Sequence, residues 1–217
     1  MTGSTSRRIA CLAALALAPA PSSAQAVLEQ FSYDALRPTG LQVDAGVLVS
    51  GDLENTIVGG VRLDGGRLAP RFRVLVGLSY FRSDFDASAT ARFEQRLRDI
   101  VVDPSGDDTI SVGRVTWADV VADLDVQYAL TESAAGAVFV GGGISVHFRN
   151  GSGPAIAGTF VEDALDEIGA GLNAMIGGEL RLAGPWRGTA EARGVVASGL
   201  SSASLRVGVM YRFPEAR

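Results

Sequence analysis

The chain has 217 residues, 47% of them hydrophobic, with 27 glycines and a formal net charge of −5. That length suits one domain, and the acidic balance argues against nucleic acid as a partner, which needs a basic face. High hydropathy without a run of roughly 20 apolar residues for a spanning helix leaves a large buried core or a membrane-spanning β-barrel.

The first 26 residues read as an export signal. Arg7 and Arg8 make a positive start, residues 9–18 are an Ala/Leu-rich apolar stretch, Pro19 and Pro21 end it, and Ala24-Gln25-Ala26 is a small-x-small cleavage site. About 10 apolar residues are too few for a retained anchor, so cleavage after Ala26 is expected. Cys11, the single cysteine, lies near the start of the apolar run and not at its far end, so it is not placed for lipidation. The mature domain, residues 27–217, then has no disulfide or thiolate chemistry, and loss of Arg7 and Arg8 leaves 17 bases against 24 acids.

From residue 41 onward the hydrophobic period is close to two. Leu41, Val43, Ala45, Val47 and Val49 oppose Gln42, Asp44 and Gly46; Ile57, Gly59, Val61 and Leu63 oppose Gly60 and Arg62. Phe72, Val74, Val76, Leu78 and Tyr80 oppose Arg71, Arg73, Gly77 and Ser79. Ala118, Val120, Ala122, Leu124, Val126 and Tyr128 oppose Asp119, Asp123, Asp125 and Gln127. Val138, Val140, Ile144, Val146 and Phe148 oppose Gly141, Gly143, Ser145 and His147. Leu172, Ala174, Ile176, Leu180 and Leu182 oppose Asn173, Glu179 and Arg181, and Ala190, Ala192 and Val196 oppose Thr189, Glu191 and Arg193. Last, Leu205, Val207, Val209, Tyr211 and Phe213 oppose Arg206, Gly208, Met210 and Arg212.

These are eight strands, each near the roughly 9–11 residues that a tilted strand needs to cross a bilayer. One face is uncharged and the other carries all the charge, too much for the core of a soluble sandwich, where unpaired ions are excluded. The pattern predicts an all-β, eight-stranded, antiparallel up-and-down transmembrane barrel, apolar toward lipid and charged toward the lumen. An open sheet is excluded by the unpaired edge it would leave in lipid.

Connector lengths alternate in the same sense. Residues 64–70, 131–136 and 183–185 are short and are expected on the periplasmic side, while residues 84–108 and 150–167 are long and expected outside. The links at 50–55 and 199–202 are external but short. An even strand count then leaves both termini periplasmic. Phe72, Tyr128, Trp186, Tyr211 and Phe213 fall at one set of strand ends, Tyr80 and Phe148 at the other, as interfacial girdles would. Both long connectors carry helix signals. Thr159 and Glu162 form a capping box ahead of an apolar stripe of Phe160, Ala164, Leu165 and Ile168, with Glu162, Asp163, Asp166 and Glu167 on the acidic side. Phe93, Leu97 and Val101 mark one side of a helix in the first loop, before a turn-rich stretch with Asp103, Asp107 and Asp108.

The terminal segment Val207-Gly208-Val209-Met210-Tyr211-Arg212-Phe213 resembles the closing signal of outer-membrane barrels, followed here by residues 214–217. The mature chain as a whole resembles the small eight-stranded OmpA-like and OmpX-like barrels. That resemblance implies a bacterial outer-membrane location, membrane lipid as surroundings, and the barrel-assembly machinery as a partner during biogenesis. Ser6-Arg7-Arg8 resembles a twin-arginine signal, but a barrel must reach its assembly machinery unfolded, so general export is expected.

Eight strands leave an interior that side chains just fill. The expected lumen network comprises Asp44, Arg73, Asp119, Asp123, Asp125, Glu179, Arg181, Glu191, Arg193 and Arg206, with Arg62, Arg71, Arg187 and Arg212 on the same face. A plugged barrel with a structural or surface-interaction role is the expectation, and a narrow pore or a lipid-modifying enzyme the alternative. Val146-His147-Phe148-Arg149-Asn150 is similar to the His-x-Ser-Asn stretch of lipid A deacylases, but Arg149 stands in the serine's place. Ser145 and His147 share the lumen face, and the sequence assigns them no orienting third group. No catalytic residue, metal cluster or cofactor loop is expected. Divalent-cation bridging to anionic surface lipid, or contact with a partner, at the acidic loop helix is the alternative to a merely solvated cap.

Overall fold

Each period-two segment is a strand in the computed structural model, which describes residues 31–34, 36–100 and 113–214. The expected signal at residues 1–26, the stretch holding Val101, Asp103, Asp107 and Asp108, and residues 215–217 lie outside the described residues. The elements are β1 (Leu36–Ser50), β2 (Thr56–Ala69), β3 (Phe72–Asp84), α1 (Ala87–Ile100), β4 (Thr116–Glu132), β5 (Gly136–Ser152), α2 (Phe160–Leu165), β6 (Glu167–Arg181), β7 (Trp186–Ala197) and β8 (Leu200–Arg212). Every strand pairs antiparallel with its neighbour, and β1 pairs with β8, so the sheet closes and leaves no edge.

The start of β1, the end of β8 and the three short turns lie at one end, hereafter the turn end; the long connectors lie at the loop end. Strand parity follows the sequence pattern. Asp44, Arg62, Asp123 and Arg206 are buried inward, whereas Ile57, Leu172 and Val207 are 74%, 66% and 63% exposed on the outer wall. Such polarity, ions inside and aliphatic side chains out, is stable only where lipid surrounds the wall.

Several boundaries differ from the sequence reading. β2 runs on to Ala69, so the turn is only residues 70–71 and Asp64, read as a connector residue, is a fully buried lumen side chain. The turn-like Asp64-Gly65-Gly66 stays within the strand because pairing with β3 carries β2 past it, with shifts of register after Asp64 and after Arg67. Strands of 12 to 17 residues exceed the expected length. At about 3.3 Å per residue, the 17 residues of β4 and β5 outrun the bilayer core and carry the wall beyond it.

The second loop helix is also shorter than expected. Thr159 caps α2 by accepting from the Val161 N–H, while Glu162 accepts from Gly158 N–H at 2.7 Å instead of closing the expected reciprocal box. α2 ends at Leu165 because pairing with β5 takes over at Glu167, and Ile168 becomes an outward strand residue. The buried side of α2 is therefore Val161 with Leu165, and Phe160 is exposed. These two pack with Val115, Ile156, Phe85 and Phe93 of α1 into a small apolar core outside the barrel.

Lumen charges fit because glycine stands opposite them. Asp44 is paired in register with Gly60 on one side and Gly208 on the other, and Asp125 lies beside Gly143. A Cβ on Gly143 would sit 2.4 Å from Asp125 Oδ1 and 2.2 Å from the Leu124 carbonyl oxygen. The glycine gives the carboxylate its space in a close-packed interior.

Candidate functional site

The lumen is filled in layers. At the turn end, two carboxylates and two guanidiniums form a closed square. Arg73 reaches Glu179 at 2.8 Å and Asp64 at 3.4 Å, and Arg212 reaches Asp64 at 2.5 Å and Glu179 at 3.0 Å. Arg73 also lies over the Phe139 ring, 5.7 Å from its centroid.

The middle layer joins strands on opposite walls. Arg62 of β2 makes a bidentate pair with Glu191 of β7 at 2.7 and 2.9 Å. Arg193 of β7 reaches Glu191 at 3.0 Å, Asp123 at 3.2 Å and Asp125 at 2.5 Å. Asp44 of β1 lies 3.4 Å from Arg62 and 3.5 Å from Arg206 and accepts from Gln42 Nε2 at 3.0 Å. All seven ions of this layer are buried. Pairs so placed hold one another because each would otherwise be an uncompensated charge away from water.

Toward the loop end the lumen divides. On the β8–β1–β2–β3–β4 side, Leu48, Val58, Phe81, Trp117, Val121 and Leu200 form an apolar cluster, with Leu53 and Phe85 packed on it. This layer departs from the expectation of a lumen closed by charge alone; alternation identifies a face, but apolar residues on the inward parity near strand ends are not distinguished by it. On the β4–β5 side, Ser145 Oγ is 3.0 Å from His147 Nε2, and His147 Nδ1 is 2.8 Å from Asp119 Oδ2. Asp119 also meets Arg149 Nε at 3.4 Å, and the Arg149 guanidinium lies 5.1 Å from the Trp117 ring centroid.

Asp119 is thus the third group that sequence alone leaves unassigned, and the spacing is that of a nucleophile, base and orienting carboxylate. Ser145, His147 and Asp119 are only 2%, 2% and 1% exposed. A Cβ at Gly171 would lie 2.6 Å from Ser145 Oγ, so the relay is packed directly against the neighbouring strand. A Ser–His–Asp line enclosed in this way can carry a hydrogen-bonded proton between its members; it offers no approach to a bulky substrate.

Among the expected network residues, the structure brings Asp44, Asp123, Asp125, Glu191, Arg193 and Arg206 together in the middle layer, Arg73 and Glu179 at the turn end, and Asp119 at the loop end. Arg181 stands apart. It has the inward parity, but it is the last residue of β6 and is exposed at the rim, beyond the reach of the lumen. Arg71 and Arg187 are likewise outside the ion pairs. Asp64 and Arg149 enter the lumen without having been singled out; each is two residues beyond a recognised inward residue, Arg62 and His147, and that parity was the available signal.

The aromatic residues lie toward both ends of the barrel wall. Phe72 packs on Tyr128 with ring centroids 5.0 Å apart, and Trp186 on Tyr211 at 5.0 Å, with Phe213 next to Tyr211. Tyr80 and Phe148 are exposed at the loop end. Among the described residues, no group of three or more His, Cys, Asp or Glu side chains could hold a metal ion.

Polarity, closure and girdles together define an eight-stranded transmembrane β-barrel. The fold is that of the small outer-membrane barrels. Neisserial surface protein A is similar to it over 80% of this chain and 96% of that one, with a TM-score of 0.53 and 13% identity. The Ail protein of Yersinia pestis, solved with the heparin analogue sucrose octasulfate, aligns with 81% of this chain and 99% of its own, at a TM-score of 0.48 and 9% identity. The N-terminal barrel domain of Pseudomonas aeruginosa OprF aligns with 81% and 98%, at 0.44 and 11%. Comparison of the sequence with known protein families finds no match, and neither does comparison with curated proteins.

Proposed function

We propose that this protein is a sealed outer-membrane barrel, a rigid non-conducting base that presents its loop-end lobe to partners outside the cell. The observation that carries the reading is the cross-lumen bonding of the middle layer, Arg62 to Glu191 and Arg193 to Asp125, backed by the apolar cluster around Phe81 and Trp117. Ions meet first a hydrophobic seal and then a wall of mutually paired charges. The lobe is the part free to engage others: it has its own core, a capped helix and an acidic face of Glu162, Asp163 and Asp166. In this reading both termini are periplasmic, residues 1–26 are removed on export, and the assembly machinery and membrane lipid are the partners.

Planar-bilayer recording of the refolded protein tests the seal, and no steady conductance is expected. A reproducible channel would overturn it in favour of a narrow pore. That second reading has one observation in its favour: both amide atoms of Asn173, and Ser79 Oγ, are buried in the lumen without hydrogen-bond partners. Protease added to intact cells tests orientation. Cleavage is expected within residues 84–108 or 150–167, whereas tags in residues 131–136 should stay hidden from outside.

A further inference from the structure

The two ends of the barrel carry opposite charge. Among the residues whose side chains are described, the turn end holds seven arginines against four acids, and the loop end six arginines against ten acids. The turn-end acids are largely engaged already: Asp64 and Glu179 are shared by Arg73 and Arg212, and Glu132 is held by Arg67. Arg37, Arg71, Arg181 and Arg187 have no acidic partner among the described residues. The side chains of Arg71 and Arg187 contact only neutral oxygens, the Tyr128 hydroxyl at 3.4 Å and the Trp186 carbonyl at 3.5 Å.

These four arginines come from β1, the β2–β3 turn, β6 and β7, with Arg181 and Arg187 opposite each other on the β6–β7 pair. They stand at the level of the turn-end aromatics: Arg71 bonds Tyr128 itself, and Arg187 follows Trp186. Interfacial aromatics mark the headgroup zone of a bilayer, so the rim that bears these guanidiniums lies at the level of lipid phosphates, with Arg37 and Arg187 also lining the mouth of the lumen. The chain has no lysine; arginine stays charged at any working pH, and its planar fork matches two phosphate oxygens at once.

We propose that the turn-end rim selects anionic phospholipid headgroups in the leaflet it occupies. The excess of positive charge at this end attracts an anionic surface, and the unpaired guanidiniums provide the contacts. The acid-rich loop end repels the same lipids, which makes the selection one-sided. The proposal rests on the barrel's being embedded in a bilayer, and it is independent of orientation and of whether the lumen conducts.

The test uses the full-length mature chain refolded into vesicles of phosphatidylcholine containing a minor fraction of phosphatidylglycerol. Association of spin-labelled phosphatidylglycerol and phosphatidylcholine with the protein is compared, and heat-modifiable gel mobility verifies the folded barrel. Phosphatidylglycerol should be enriched several-fold at low salt. Enrichment should fall toward unity at about 0.5 M salt, where screening shortens to a few ångströms. The variant R37Q/R71Q/R181Q/R187Q should lose it, while R96Q/R98Q/R114Q at the loop end should keep it. Should the four-fold variant fail to fold, R37Q/R187Q and R71Q/R181Q are each expected to remove about half. Equal association of the two lipids in the native protein, or enrichment that survives the four-fold change, overturns the proposal. Displacement by inorganic phosphate beyond that by chloride of equal ionic strength would assign the rim to free phosphate and overturn the lipid assignment. A conducting channel would overturn the sealed-barrel reading and leave this one untouched.

Discussion

Arg62 on β2 and Glu191 on β7 are 129 residues apart in sequence, yet they form two parallel hydrogen bonds, of 2.7 and 2.9 Å, across the middle of the lumen. Arg193 donates to the same carboxylate from two residues along β7, so Glu191 balances two guanidiniums at once. Neither arginine has water to turn to, because Arg62 and Arg193 are both 2% exposed.

Glu191→Gln should therefore destabilise the barrel. It leaves two buried guanidiniums short of one negative charge, and breaking a buried pair from one side costs about 3–5 kcal/mol. Urea unfolding of the refolded protein in lipid vesicles measures it. A loss below about 1 kcal/mol, the range of solvated pairs, would mean that water reaches this layer. Replacing Arg62 and Glu191 together with apolar residues of similar volume should recover much of the loss, since it removes the uncompensated charge.

Gly143 and Gly194 offer a comparison of two glycines within strands. A Cβ on Gly143 would meet the Leu124 carbonyl oxygen at 2.2 Å, and backbone cannot move aside; a Cβ on Gly194 would meet nothing within 4 Å. Gly143→Ala is expected to lower stability by about 1–3 kcal/mol, as overpacking does, and to reduce the yield of the fast-migrating folded band. Gly194→Ala should be near neutral. The reverse order would show that the β5 register differs from the one described.

Ser145 should behave as an enclosed hydroxyl. A serine-directed fluorophosphonate is expected to leave the folded protein unlabelled, because Ser145 is 2% exposed. The Asp119 carboxylate 2.8 Å from His147 Nδ1 favours the tautomer protonated there, which leaves Nε2 to accept from Ser145. Nitrogen-15 NMR of the imidazole reads this directly, and Asp119→Asn should perturb it more than Ser145→Ala. Stoichiometric labelling of Ser145 would revive a catalytic role.

Ile156 anchors the loop-end lobe and is 2% exposed. Ile156→Ala should loosen the lobe by about 2–5 kcal/mol of local stability without melting the barrel, because Ile156 belongs to the lobe's core, which shares Phe85 with the lumen cluster but contributes none of that cluster's buried residues. Faster proteolysis of the long loops with an unchanged folded band is the expected result. Loss of the folded band would mean that lobe and barrel unfold as one unit.

Sequence alone determined the architecture, because strand parity is a local property. Val207 and Arg206 must point to opposite sides of any strand that contains both, and eight segments with all charge on one parity admit a barrel in lipid and little else. The girdle aromatics follow from the same periodicity plus position within each segment. What the tertiary structure decided is who meets whom across the lumen. Glu191 meets the distant Arg62 as well as its neighbour Arg193 because closure of β1 on β8 brings β2 and β7 to facing walls. Asp119 reaches His147 because β4 and β5 are in a register that no single strand encodes. Asp64 joins the lumen because pairing with β3 carries β2 through a turn-like sequence, and Arg181 leaves it because β6 ends there. These are consequences of non-local pairing, in which one residue's partner is set by strand order and stagger, and a linear pattern of alternation holds no record of either.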